Sequence, residues 1–498
     1  MPINVPTPFT DVDLPPRTDG QKQEDRRRNQ EQTALLSPPA GSQTVEQAGE
    51  SAGEEDPDEL LEKLVRRREG AGEAVVQFDS APTVTRRWSL VVPQQWLVRH
   101  SDNGEPPPEI NETLNNNNFT AERALTDSLV CPELAGRLTV YTHKGEHSKR
   151  FDDTLNAVNA LQVPGGQAAP TLVTALHQTP PPRPKTIVKA AVGPAPTTVD
   201  EDDRGFGEAG RRRPEGETIV AVIDTGIAEV RRADRWLYEV PRDPGCVDPL
   251  DSFPPPGNTF LDFAAGHGTF AAGIVRLVDR DTQIKVYATL DGEGFATETD
   301  IACAMIQAVR EGAHVLNLSL GMHTVDNKGS VAFELALEAI DRIAQEQERE
   351  PPVIVASAGN YGDDVPVWPA AFAATWDRVI SVAGLTADLE PADWSSRGDW
   401  VTCSCVGEGI VSTFVPGDED PEFSEDHPGF PNPDHFPVDA WAVWTGTSFA
   451  APQIAGAIAR RMRQDGGLIS PQSAADLLLQ DGVSINHFGK ALLLLRGT

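Results

Sequence analysis

Beyond Glu217 the sequence alternates between short, nearly continuous apolar runs and longer stretches with a helical repeat, and this alternation limits the fold more than any other feature. The runs TIVAVID, IKVYATL, HVLNLSL, VIVASAGN and VISVAG are bounded by turn residues, as parallel strands covered on both faces require. Among them, GHGTFAAGIVRLV, TDIACAMIQAVREG, SVAFELALEAIDRIAQEQE and TSFAAPQIAGAIARRMR place apolar residues at helical spacing. The pattern predicts an α/β fold with a doubly wound, mostly parallel sheet over residues 217–498. At 498 residues with 39% hydrophobic content, the chain can bury a large core and still has length to spare, so additions are expected.

Those additions lie at the N-terminal end. Residues 1–72 are rich in Pro, Gln, Glu, Asp and Ser, too poor in apolar side chains to offset the entropy of ordering, and read as a disordered leader. Within it Leu60, Leu61, Leu64 and Val65 fall on one helical face, which predicts either a short helix that docks elsewhere or a transient helix in a tail. From 75 to 165, VTRRWSLVV, WLVRH and GRLTVYTHK read as strands and FDDTLNAVNALQ as a helix, giving a small α+β domain. Residues 166–215 are dense in Pro, Gly and charge and read as a linker, with one strand foreseen at Lys185 to Ala191.

Charge and cysteine usage narrow the setting. A formal net charge of -33 argues against nucleic acid and anionic membrane, which would repel such a chain at long range. No run is apolar enough to span a bilayer, and MPINVPTPFTDVDLPP lacks the basic start and apolar core of a secretory signal. Cys131, Cys246, Cys303, Cys403 and Cys405 have no metal-ligand spacing and read as free thiols in a reducing compartment. A cytoplasmic protein is expected.

In open parallel sheets reactive groups collect at the carboxyl ends of strands. Four unusual polar residues stand at such positions: Asp224 closing TIVAVI, His267 between the glycines of GHGT, Asn360 closing VIVASAG, and Ser448 in TGTSFAAP ahead of a long apolar helix. Each has an ordinary explanation, as a turn residue, a structural histidine or an N-cap. Their combination does not: D-T-G, G-H-G-T, A-G-N and G-T-S-F-A-A-P occur in this order, each in its own strand or helix context.

Together these motifs make residues 217–463 resemble the subtilases, the subtilisin-like serine proteases of peptidase family S8. The resemblance implies a serine endopeptidase with Asp224, His267 and Ser448 as catalytic triad, and with the Asn360 amide and the Ser448 N–H as oxyanion donors. It implies substrate contacts at Ser319, Leu320 and Gly321, which match the segment that pairs with the substrate backbone, and at Ala356, Ser357, Ala358 and Gly359, which match the wall of the P1 pocket. VWPAAF resembles the family's P-A-A segment, which implies a cis Trp368–Pro369 bond. The related peptidases that carry Glu in place of His are disfavoured by GHGT at 266–269. No cofactor is required; structural calcium occurs in the family, but no ligand set can be matched to it here, and no metal is assigned.

The sequence also departs from the family. An acidic run, Gly417 to Phe436, precedes the serine and reads as a solvated surface loop, with a rim for basic substrates or a cation site as the functional alternatives. His427, Asp434 and His435 within it, and His143 and His147 elsewhere, lack metal spacing. The 75–165 unit sits where a pro-domain would, and reads either as a restraint on the active site or as a recognition domain. Expected partners are a protein or peptide substrate and, because an unrestrained cytoplasmic endopeptidase would be toxic, an activating or regulatory protein.

Overall fold

The five apolar runs fold as neighbouring parallel strands in a computed structural model, which describes residues 63, 64, 66–68, 76–79, 88–143, 168–175, 185, 186, 218–252, 260–324, 327, 329–422, 433–463 and 468–495. The N-terminal part supplies β1 (Val76–Asp79), β2 (Trp88–Arg99), α1 (Pro108–Asn116), β3 (Phe119–Ala121), α2 (Arg123–Leu129), α3 (Pro132–Ala135), β4 (Leu138–His143), β5 (Ala168–Ala175) and β6 (Lys185–Thr186). The alternating region supplies β7 (Ile219–Asp224), β8 (Phe260–Leu261), α4 (His267–Val278), β9 (Gln283–Ala288), β10 (Phe295–Thr297), α5 (Glu298–Arg310), β11 (Val315–Leu318), α6 (Val331–Glu346), β12 (Val353–Ser357), β13 (Val379–Leu385) and β14 (Cys403–Val406). There follow β15 (Ile410–Thr413), β16 (Gly417–Glu419), β17 (His435–Phe436), β18 (Trp441–Trp444), α7 (Thr447–Met462), α8 (Pro471–Gln480), β19 (Val483–Ile485) and β20 (Gly489–Ala491).

An eight-stranded sheet runs β9–β7–β11–β12–β13–β14–β20–β19, parallel throughout except for the antiparallel β19. From β7 the chain crosses to β9 on one side and then to β11 on the other, so the order reverses at β7, where a crevice opens at the carboxyl ends. Alternate residues of β7 serve the two faces. Val220 and Val222 pack with Ala271 and Val275 of α4 and Ile454 of α7, while Ala221 and Ile223 pack with Ile301 and Met305 of α5 and Leu335 of α6. Each valine, isoleucine, leucine or methionine side chain so taken out of water contributes about 1.5–3 kcal/mol.

A second, antiparallel sheet runs β10–β5–β2–β4–β3, with β1 also paired to β2. On one face of it Trp96 and Val98 pack against Ile110 and Leu114 of α1, and on the other Leu97 joins the core that covers α5 and α6. Two sequence expectations are corrected here. VTRRWSLVV and WLVRH read as two strands, yet Trp88–Arg99 is a single strand whose register with β5 shifts between Val91 and Trp96. Such a shift tolerates the intervening Pro93, which cannot donate to a ladder. The linker assigned to 166–215 also begins too early, because β5 lies within it and pairs with both β2 and β10. Its proline and small residues mask a strand that gains stability from its neighbours. The strand foreseen at Lys185 to Ala191 is present as Lys185–Thr186, paired with β18. The helix expected at FDDTLNAVNALQ and most of residues 1–72 lie outside the described residues.

The acidic run is corrected as well. Its ends are not a solvated loop: β16 pairs with β17 and with β8, and Glu419, Asp420 and Asp434 are buried. Residues 423–432, His427 among them, lie outside the described residues.

The two sheets meet through polar contacts as well as apolar ones. Arg99 pairs with Glu334 at 3.3 Å and Glu338 at 2.6 Å, and Arg137 with Glu338 at 2.5 Å. Glu298, fully buried, accepts from Leu172 N of β5 at 2.8 Å, from Ala332 N at 3.1 Å and from the Ser330 hydroxyl. Burial raises its pKa. Removing this carboxylate leaves buried donors unsatisfied, at about 1–3 kcal/mol apiece. In Glu298→Ala we expect faster hydrogen exchange at the Leu172 amide with unchanged protection of the β7 amides, measured by NMR or mass spectrometry.

Candidate active site

Asp224 is the last residue of β7, at the point where strand order reverses, and its side chain is 0% exposed. A carboxylate so buried needs donors. Its Oδ1 accepts from Thr225 N at 2.7 Å and lies 2.7 Å from His267 Nδ1. A carboxylate only accepts, so Nδ1 carries the hydrogen, and in the neutral ring the lone pair is left on Nε2. His267 opens α4 after Gly266, whose φ of 85° lies in the left-handed region. A side chain at Gly268 is excluded by contact: its Cβ would lie 2.3 Å from Gly226 O. The aspartate turn and the histidine turn therefore touch backbone to backbone.

A residue that sequence reasoning missed holds the two turns in register. Asp248, buried, accepts through Oδ2 from the Thr225 hydroxyl at 2.7 Å and from Gly266 N at 2.9 Å, while Thr225 Oγ1 accepts from Gly268 N at 3.0 Å. Burial, opposed by these hydrogen bonds, pushes the Asp248 carboxyl up to about 7. Nothing in GCVDPLD marks Asp248 beforehand, since its role comes from a bridge between Ile227 and Val247 that only the fold creates.

Ser448 stands in the first turn of α7, where backbone N–H groups lack helical partners and the helix dipole is positive. Pro452, four residues on, has no N–H to give the Ser448 carbonyl, and the Ser319 hydroxyl fills that place at 2.7 Å. Ser448 Oγ donates in turn to Ser319 O at 3.1 Å. Asn317 Nδ2 donates to Ser319 Oγ at 3.0 Å. Asn360 Oδ1 accepts from Thr447 N and from the Thr447 hydroxyl, both at 2.9 Å, which fixes which end of the amide is Nδ2. The His267 ring packs on Phe449, next to Ser448, with centroids 5.3 Å apart, and edge-on to Trp444 at 5.4 Å.

Of the residues singled out in the sequence, the structure thus joins Asp224 to His267 by a hydrogen bond, Ser319 to Ser448 by two, and Asn360 to the residue before Ser448. The Ser448 hydroxyl bonds to Ser319. Leu320, Ala356, Ser357 and Ala358 are buried; Gly359 N donates to Thr447 Oγ1 at 3.1 Å, and Ser357 Oγ to Leu320 O at 3.4 Å. The Trp368–Pro369 bond is cis. Among the described residues no three His, Cys, Asp or Glu side chains converge as a metal site.

The chain belongs to the subtilase family, whose model, Peptidase_S8, matches residues 215–484. It is 29% identical over 244 residues to the thermophilic serine proteinase of Bacillus sp. (strain AK1), covering 48% of this chain and 50% of that protein. It is 28% identical over 216 residues to thermitase of Thermoactinomyces vulgaris, covering 41% and 62%. The chain thus spans 50% and 62% of the length of these two relatives. The crystal structure of fervidolysin from Fervidobacterium pennivorans, described as a keratinolytic enzyme related to subtilisin, superposes with a TM-score of 0.49 at 20% identity, covering 81% of this chain and 60% of that one.

The raised Asp248 pKa has a definite sign for stability. The folded state holds this proton more tightly than the unfolded chain, whose carboxyl titrates at its ordinary 3.8. The contribution is therefore complete below about pH 4 and is lost as pH rises through about 7, with a slope of at most about 1.4 kcal/mol per pH unit. Asp248→Asn removes this titration. We expect its urea midpoint to match the parent's near pH 3.5 and to exceed it at pH 8.

Proposed function

We propose that this chain is a serine endopeptidase that hydrolyses peptide bonds through an acyl-enzyme on Ser448. The observation that carries this reading is the buried 2.7 Å hydrogen bond between His267 Nδ1 and Asp224 Oδ1, which leaves Nε2 as the basic atom. A serine hydroxyl is a poor nucleophile near neutral pH and needs such a base. Rotation about the Ser448 side chain releases Oγ from Ser319 O and turns it to His267. Oγ attacks the scissile carbonyl carbon as Nε2 takes its proton; the same proton then goes to the leaving amine when the carbon–nitrogen bond breaks. Water repeats the cycle on the acyl-enzyme. Asp224 fixes the tautomer and stabilises the imidazolium.

The developing oxyanion is met by the Ser448 N–H, at the positive end of α7, and by Asn360 Nδ2, whose orientation Thr447 sets. Ser319, Leu320 and Gly321 pair with the substrate backbone, and Ala356, Ser357, Ala358 and Gly359 line the P1 pocket, where their small size leaves room for a sizeable side chain. The reaction needs no cofactor, and substrates are proteins or peptides. The free cysteines favour a cytoplasmic setting.

We further propose that the N-terminal α+β unit restrains the enzyme until an activating or regulatory protein releases it. Its strand β5 pairs with β10, which begins two residues after Glu293 and so lies next to the loop whose Leu290 N donates to Asp224 O at 3.1 Å. A recognition role would use the same surface.

The full chain should react with a fluorophosphonate at Ser448, and labelling of Ser448→Ala would sink the assignment. Asn360→Ala should lower kcat by about 10²–10³-fold with KM nearly unchanged. Arg99→Glu combined with Arg137→Glu, which breaks the ion pairs to α6, should speed labelling of Ser448; an unchanged rate would refute the restraint.

A further inference from the structure

The N-terminal leader contains a helical piece, residues 63, 64 and 66–68, docked against the catalytic half of the chain with Leu64 fully buried. Its Arg67 enters a pocket of three carboxylates, one to each nitrogen. Nη2 pairs with Asp262 Oδ1 at 3.1 Å, Nε with Glu293 Oε1 at 3.2 Å and Nη1 with Asp420 Oδ2 at 3.1 Å. The side chains of Asp262 and Glu293 are 0% exposed and that of Asp420 is 9%.

The pocket is prepared by its own loops. Asp262 Oδ2 is held by Ser252 N at 2.6 Å and by the Ser252 hydroxyl at 3.0 Å, which turns Oδ1 to the guanidinium. Asp420 Oδ1 is held by Glu422 N at 2.9 Å, which turns Oδ2 the same way. Carboxylates spread around a planar fork suit a guanidinium and no compact ion, in keeping with the lack of a convergent metal set among the described residues. Burial, offset in part by Arg67, pushes the Glu293 carboxyl up to about 8, and the neighbouring Asp262 and Asp291 add to the rise.

The position matters as much as the chemistry. Asp262 lies in the turn that leads to His267; Ala264 N of that turn donates to Gly292 O at 2.8 Å; and Asp420 follows β16, which pairs with β8. The pocket therefore shares its walls with the turn that leads to His267 and with the loop whose Leu290 N donates to Asp224 O. Arg68, beside it, pairs with Asp291 and lies over the Phe295 ring at 4.4 Å, at the edge of a cavity of about 610 Å³.

We propose that Asp262, Glu293 and Asp420 form a subsite for the guanidinium of a substrate arginine, and that Arg67 occupies it as an intramolecular ligand until displaced. The acidic run singled out in the sequence supplies Asp420, and so takes part in selecting basic substrates. The use of the subsite by substrate rests on the peptidase reading; the affinity for guanidinium does not.

Two experiments on the full chain separate these claims. In a Ser448→Ala background, argininamide should bind Arg67→Ala at least tenfold more tightly than it binds the Arg67 protein, with lysinamide weaker and the neutral isostere citrullinamide not binding, by titration calorimetry. Asp420→Asn added to Arg67→Ala should abolish the binding. Equal affinity for argininamide and citrullinamide, or indifference to Arg67, would overturn the subsite. If Arg67→Ala does not fold, Arg67→Gln serves in the same comparison. In the active chain, peptides cleaved from a mixed pool by Arg67→Ala should be enriched in arginine at one fixed distance from the cut, and Asp420→Asn should remove that enrichment. Cleavage without arginine enrichment overturns the substrate role, whereas argininamide binding without any cleavage or fluorophosphonate labelling overturns the peptidase reading alone.

Discussion

One buried oxygen, Asp248 Oδ2, receives the Thr225 hydroxyl from the turn after β7 and Gly266 N from the turn before α4. The bracket ties together two turns that belong to separate elements, and acts alongside the Gly268 N–Thr225 Oγ1 bond and the close approach of Gly268 to Gly226 in setting the spacing of Asp224 and His267. Elsewhere rigidity comes from packing: β7 lies between helices on both faces, so its end point cannot drift. The bracket converts that fixed end point into a fixed imidazole.

The central sheet was legible because burial on both faces makes a strand an apolar run, and TIVAVID, HVLNLSL and VIVASAGN could hardly be anything else. The N-terminal half was less so. Strand β5 carries AAPTLVTA, a composition that reads as linker, and is a strand because β2 on one side and β10 on the other complete its hydrogen bonds. Strand β2 contains Pro93, which reads as a break and falls instead in a register shift. Local sequence reports local preference, and both segments are decided by partners remote in the chain.

In the site, the residues with short motifs around them were visible in advance, and the residues that hold them were not. Pro452 stood in view inside GTSFAAP, yet its effect, a free Ser448 carbonyl taken up by Ser319, appears only once β11 lies beside α7. Asp248 has no motif at all. The acidic run reads as a solvated loop because charge is normally exposed; Glu419, Asp420 and Asp434 are buried because strand pairing with β8 and an arginine from the leader make burial affordable.

The pairing of β5 with β10 also bears on how the molecule is made. Phe295 bonds across to Ala175, roughly 120 residues earlier in the chain. A ribosome adding about 5–20 residues per second would present β5 for several seconds before its second neighbour exists. Contacts so distant in sequence also slow the search for the native state. The N-terminal sheet can therefore begin on its own but cannot finish on its own, and its last strand arrives only with the part of the chain that it covers.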